Sequence, residues 1–196
     1  NNSKELIKIA TIGFDQYLSR IKQASKELQA EVAAEIKLGA EMYRDGAKRD
    51  LVANGTSNTS DLLNKINIEP VTLFEYNVKA SSFHAPFIEF GTKGKYKPIP
   101  GTEDIAAQFR VKMPGTFDKL VENIKVWMKK RGVGVTYNIK TRRKTRQTKD
   151  EKDKVAFAIA MSIAKNGISP QPYFFKQITP VRNHVNKRIE SILNGL

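Results

Sequence analysis

The chain contains no cysteine, only two histidines and a single tryptophan among its 196 residues. The missing cysteines exclude disulfide staples, thiolate metal sites and thiol nucleophiles together. They suit a reducing compartment, or a particle assembled in cytoplasm. No apolar run approaches the roughly 20 residues that a bilayer-spanning helix needs. The N-terminus also lacks the basic, apolar and small-residue order of a secretory signal. A soluble, non-secreted protein with no membrane partner is the expectation.

Acidic residues are scarce in one place. The formal net charge is +14, but it is unevenly spread. Between residues 125 and 154 twelve lysines and arginines face only Asp150, Glu151 and Asp153, which gives that stretch +9 and leaves +5 for the rest. The basicity belongs to a segment and not to the whole fold. Residues 140–154 include no large apolar side chain that could offset the entropy of ordering them, so the sequence predicts a mobile basic loop. Lys140, Arg142, Arg143, Lys144, Arg146 and Lys149 are its candidate contacts for an acidic partner surface or for DNA. No aromatic residue after Tyr137 interleaves with them to stack bases.

What is present in quantity is patterned apolar sequence. Ile7, Phe14, Ile21 and Leu28 recur at heptad spacing and Val32, Ile36 and Tyr43 extend the stripe, so residues 3–50 read as one long helix with Gly13 and Gly39 as candidate kinks. "NGTSNTS" at 54–60 breaks it. From residue 65 the period changes to two: "KINIEPV" and "TLFEYNVKA" predict a hairpin, with Pro70 at a turn or edge. "AQFRVKMPG" reads as a further short strand, so that the strands of 65–113 form a small sheet. Thr116 is an N-cap for a helix over 116–131, with Phe117, Leu120, Ile124 and Trp127 on one face and Gly132 as its stop. A second helix is expected over 153–166, capped by Asp153, with Ala156, Ile159, Ala160 and Ile163 inward. A last helix opens at Thr179-Pro180 and carries Val181, Val185, Ile189 and Ile192 on one face. The pattern is that of a single α+β domain over 1–196, with 132–152 as a basic loop or extended arm.

Reactive chemistry is hard to assemble from these residues. His84 and Glu89 could form an acid–base pair, with Ser81 or Ser82 as the nearest nucleophiles, but no nucleophile-elbow context surrounds them. His184 lies among charged neighbours and reads as a surface position. Neither histidine has the spacing of a metal ligand. "GTKGKYKP" has the composition of a phosphate loop without its order. The sequence therefore offers no catalytic residue, no cofactor site and no metal site.

One stretch, "HAPFIEFGT" at 84–92, is more specific. It resembles the signature of the neck or tail-completion proteins of tailed phages, in which a strand runs into an aromatic–Ala–x–aromatic–aliphatic–Glu–Phe–Gly–Thr element. Ala85, Phe87, Ile88, Glu89, Phe90, Gly91 and Thr92 match that element. Pro172, Tyr173, Phe174 and Phe175 match the Pro-aromatic segment that leads into the family's C-terminal helix. Two positions depart from it: Ser60 in Thr59-Ser60-Asp61-Leu62 replaces a usual Gly, and His84 stands where Tyr is common. The resemblance touches most of 1–92 and 153–196. It implies a structural virion protein at the head–tail junction, made in the host cytoplasm. By the same resemblance it forms a homo-oligomeric, hexameric ring. That ring would meet head-completion or connector proteins on one side and tail-terminator or tail-tube proteins on the other, with packaged DNA passing through. The alternative is a basic nucleic-acid-binding accessory protein. In either reading the 84–92 element is a structural corner, with Phe87 and Phe90 as anchors. Glu89, flanked by them, must then accept backbone N–H groups or pair with a cation.

Overall fold

The structure, a computed structural model, describes residues 7–8, 20–21, 23–55, 61–93, 97–110, 116–133, 135–137, 144–146 and 148–194. The fold is α+β. Its elements in chain order are β1 (Ile7–Lys8), α1 (Lys26–Ala53), α2 (Asp61–Asn64), β2 (Ile66–Thr72), β3 (Glu75–Ala80), α3 (Ala85–Phe90), α4 (Glu103–Arg110), α5 (Phe117–Arg131), β4 (Val135–Tyr137), β5 (Lys144–Arg146), α6 (Lys149–Asn166), a 3-10 turn (Phe175–Gln177) and α7 (Ile178–Asn194). The chain divides into two compact units. The first holds Asn1–Glu89 and Gln171–Leu196, and the second holds Phe90–Pro170.

In the first unit α1 is shorter than the stripe of apolar residues suggests. The Leu28 N–H donates to the Ser25 side chain at 3.3 Å, so Ser25 caps the helix and fixes its start. Upstream, Ile7 and Lys8 are not helical. They pair with Ala80 and Lys79 of β3, because a sheet edge outweighs the helical preference of so short a piece. Gly13 lies outside the described residues. Gly39 is no kink, since α1 runs through it without a break. A Cβ there would stand 2.4 Å from a methyl of Val185 on α7, so glycine lets the two helices approach. Val32 and Ile36 of α1 pack with Ile21 and with Val185, Ile189 and Leu193 of α7.

The hairpin forms as expected. β2 and β3 pair antiparallel from Ile66↔Ala80 to Thr72↔Glu75, with a register shift between Pro70 and Thr72 where the proline cannot donate. β3 is the central strand of a three-stranded sheet ordered β1-β3-β2. Among the described residues the sheet gains no further strand before residue 110. Where strands are expected to continue to residue 113, residues 85–90 and 103–110 form helices α3 and α4, and the described part of "AQFRVKMPG" belongs to α4. α7 also starts earlier than Thr179-Pro180, because the 3-10 turn at 175 runs directly into it. Pro180 falls in its first turn, where a missing N–H costs nothing.

The second unit is built on the pair α5 and α6. α5 begins after its Thr116 cap, whose hydroxyl accepts from the Lys119 N–H at 3.4 Å, and it ends on Gly132 in the left-handed conformation. Ile124 and Met128 pack against Ala156 and Ala160 of α6. Trp127, expected on this face, is 39 % exposed while Met128 is 3 % exposed. The inward stripe follows the 3.6-residue period through Met128. α6 starts at Lys149, four residues before the expected Asp153 cap. Thr148 and Glu151 form a capping box: the Glu151 N–H donates to the Thr148 hydroxyl at 3.3 Å, and the Thr148 N–H donates to the Glu151 carboxylate at 2.7 Å. Within the stretch 140–154, expected to be a mobile loop, the described residues form regular structure. β4 and β5 pair antiparallel, Val135 with Arg146 and Tyr137 with Lys144, and residues 149–154 are helical.

Candidate functional site

The corner begins at Ser82, whose buried hydroxyl donates to Asp61 Oδ2 at 2.9 Å. Lys65 Nζ lies 2.8 Å from the other oxygen of the same carboxylate. Hydrogen bonds from Lys65 and Ser82 hold the Asp61 carboxyl below its ordinary value. The Ala85 N–H donates to the Ser82 carbonyl at 3.0 Å and starts α3. Ala85 is buried, Phe87 and Ile88 are half-buried, and Phe83 is exposed. The element that the sequence presents as a corner beyond a strand therefore contains one short helix. Its residues 85 to 89 carry Glu89 into the interior of the first unit.

Glu89 is 2 % exposed. Its Oε2 accepts the N–H groups of Tyr173 at 2.8 Å and Phe174 at 2.9 Å, and its Oε1 accepts that of Phe175 at 3.1 Å. These three donors open the 3-10 turn and α7, and no side chain of that segment's own supplies a cap. A helix start leaves its first N–H groups without partners and carries a partial positive charge. Glu89 meets both conditions from a distant part of the chain. It is an N-cap supplied by a sequence-distant helix of the same chain.

The rest of the clasp is built around the same three residues. Tyr43 of α1 donates its hydroxyl to the Phe174 carbonyl at 2.7 Å, and its ring meets Phe174 edge-on at 5.2 Å. Phe174 also meets Tyr173 and Phe175 edge-on. Gln177 donates to the Tyr173 carbonyl at 3.3 Å and to Asp50, and Lys176 Nζ lies 3.0 Å from Asp50 Oδ2. The Gln171 N–H donates to the Ile88 carbonyl at 2.7 Å and sets Pro172 beside α3. Burial pushes the Glu89 carboxyl up. The three N–H groups and the Lys176 charge pull it back without cancelling the rise. Burial first, and the nearby Glu89 charge second, push the phenols of Tyr43 and Tyr173 far up, so both stay neutral.

Phe90, Gly91 and Thr92 belong to the second unit, where they form their own tie. The Thr92 N–H donates to the Ile168 carbonyl at 3.0 Å, and the Ile168 N–H donates to the Thr92 hydroxyl at 2.8 Å. Gly91 has φ +68°, and a Cβ on it would stand 2.5 Å from the Ile168 carbonyl oxygen. The position needs glycine for both reasons. Phe90 is buried.

The acid–base arrangement weighed from sequence is not assembled. His84 is exposed and stands edge-on to Phe83, whereas Glu89 is taken up by main-chain donors. Ser82 is tied to Asp61, and the Ser81 N–H donates to the Lys65 carbonyl. His184 is exposed, with its Nε2 3.5 Å from the buried Glu35 carboxylate on α1. Among the described residues no cluster of His, Asp and Glu is arranged to hold a metal ion, and no helix is long and apolar enough to cross a membrane. Of the basic candidates, Lys140, Arg142 and Arg143 lie outside the described residues, as do Thr59 and Ser60. Lys144 and Arg146 are in β5, and Lys149 is the exposed first residue of α6. Tyr43 and Gln177 are the clasp residues that sequence reading passes over. The signal for them is the absence of Ser, Thr, Asp or Asn ahead of Phe174, which marks a helix start in need of an outside partner. Compared with known proteins, the chain matches no family model, no curated protein and no solved structure.

Proposed function

We propose that this chain is a structural virion protein of a tailed phage. It would form or complete the neck ring that joins the head connector to the tail. One observation carries the reading: the two stretches on which the family resemblance rests, "FIEFGT" and "PYFF", are joined through Glu89 and the N–H groups of residues 173–175. The distinctive glutamate between phenylalanines thus has a structural task, and no substrate is needed to account for it. A second observation agrees with assembly. Leu38 and Met42 on α1 are 44 % and 36 % exposed, and with Pro180 and Val181 of α7 they form the apolar half of an open groove of about 380 Å³ in the first unit, whose other half is Glu41, Asp45, Arg49 and Gln177. Apolar side chains left in such a groove suit contact with a neighbouring protein.

The test is the mass of the purified chain, alone and mixed with connector rings, followed by cryo-electron microscopy of the necks. A closed ring of this chain between connector and tail is the expected result. A chain that stays monomeric at high concentration and binds no connector overturns the reading.

A further inference from the structure

From Asn123 to Lys149 the sequence holds ten lysines and arginines and no aspartate or glutamate. The described part of this run lies at one end of the α5–α6 pair. α5 ends in Lys129, Lys130 and Arg131. The β4–β5 ribbon follows, with Lys144 and Arg146 in its second strand, and α6 opens with Lys149 two residues beyond Gln147. Arg146 pairs with Val135 at the base of the ribbon, next to both helix ends. The helix macrodipole explains cations in the last turn of α5. It does not explain the ribbon.

We infer that this end of the second unit is a DNA-binding surface, with the last turn of α5, strands β4 and β5 and Lys149 laid against the phosphate backbone. Asp150 and Glu151, in the first turn of α6, serve their own helix start and lie outside the contact. The choice of DNA over an acidic protein follows from composition. The buried centres of protein interfaces are depleted in charged residues as a whole and rely on aromatic and apolar anchors beside any arginine, whereas protein–DNA interfaces are far more positive. Residues 135–149 contain Val135, Tyr137 and Ile139 as their only sizeable apolar or aromatic residues. The remainder is cations, threonines, an asparagine and a glutamine, the donors that contact phosphate and sugar. A two-stranded ribbon, with strands about 4.8 Å apart, also fits a major groove about 12 Å wide. Nothing in this composition selects a base sequence, so binding is non-specific and governed by salt. The inference stands apart from the virion reading, because its test needs only the purified chain and DNA.

Affinity of the full chain for a short random-sequence duplex is measured between about 50 and 200 mM salt. Log K should fall linearly with log salt. K129Q/K130Q/K144Q/R146Q should make that slope shallower by about 3 to 4, since each neutralised phosphate contributes about 0.9. K26Q/K37Q/R182Q/K187Q removes the same charge from the first unit and should keep the original slope. Absence of salt-dependent binding, or equal losses in the two variants, overturns the inference. Displacement of the duplex by polyglutamate at equal charge concentration overturns it in favour of an acidic protein partner. If the first variant loses helix content, lysine cross-linking of the unaltered chain to aldehyde-bearing DNA decides. Adducts within 129–149 support the surface, and adducts confined elsewhere refute it.

Discussion

Glu89 has two oxygens and three main-chain donors to satisfy. Glutamine in its place keeps one acceptor oxygen and turns an NH2 group toward a backbone N–H. Glu89→Gln should therefore destabilise the first unit by about 1–3 kcal/mol, the cost of leaving a buried donor unmet. Denaturant unfolding of the two chains checks this, and equal midpoints would remove the clasp from the list of stabilising contacts. The same residue sets a pH dependence. Burial makes the folded state hold the Glu89 proton more tightly than the unfolded chain does. The resulting stabilisation is complete below the ordinary glutamate value and is lost as pH rises through the higher folded-state value. Relative to Glu89→Gln, the unaltered chain should lose stability over that rise. A relative gain would mean that the three N–H groups outweigh burial. The need for such partners was legible from Glu89 sitting between Phe87, Phe90 and a glycine. Their identity was not, because the donors lie 84 to 86 residues away.

Among the elements, α5 was legible to the residue because Thr116 and Gly132 announce its ends in local chemistry. α6 was not, although its signal is equally local. Thr148 and Glu151 stand in capping-box spacing, but they are embedded in a charge run that reads as a solvated loop. Thr148→Ala should cost about 1 kcal/mol and fray the first turn of α6, which hydrogen exchange at residues 149–152 would report. Unchanged protection there would leave the cap without a measurable role. The α5 stripe makes a further distinction. Met128→Ala should cost about 2–5 kcal/mol because it opens a cavity against Ala156 and Ala160. Trp127→Ala should cost less, despite the larger side chain, and the reverse order would show that the exposed face of α5 is the packed one. α3, expected only as a corner within the 65–113 sheet, did not show as a helix because six residues are too few for a helical period.

For the whole molecule, the division into two units left no mark in composition. The chain enters the second unit at Phe90 and returns at Gln171, and neither junction carries a Gly- or Ser-rich linker. The junction of the first unit is nevertheless closed, because the Gln171 N–H donates to the Ile88 carbonyl. Replacing residues 90–170 by a linker of about four residues, an ordinary connection length, should give a chain that still unfolds cooperatively. In that chain Glu89→Gln should still be destabilising. Loss of the cooperative transition would mean that the first unit depends on the second for its fold.

The distance in sequence between Glu89 and its donors also bears on how the protein is made. At synthesis rates of about 5–20 residues per second, roughly 4–17 s pass between the addition of Glu89 and that of Tyr173. For all of that time the carboxylate has nothing to cap, and α7, which supplies Val185, Ile189 and Leu193 to the buried cluster around Val32 and Ile36, has not been synthesised. Residues 90–170 are contiguous and already hold both α5 and α6. The second unit can therefore pack on the ribosome while the first, though begun earlier, waits for residues 171–196.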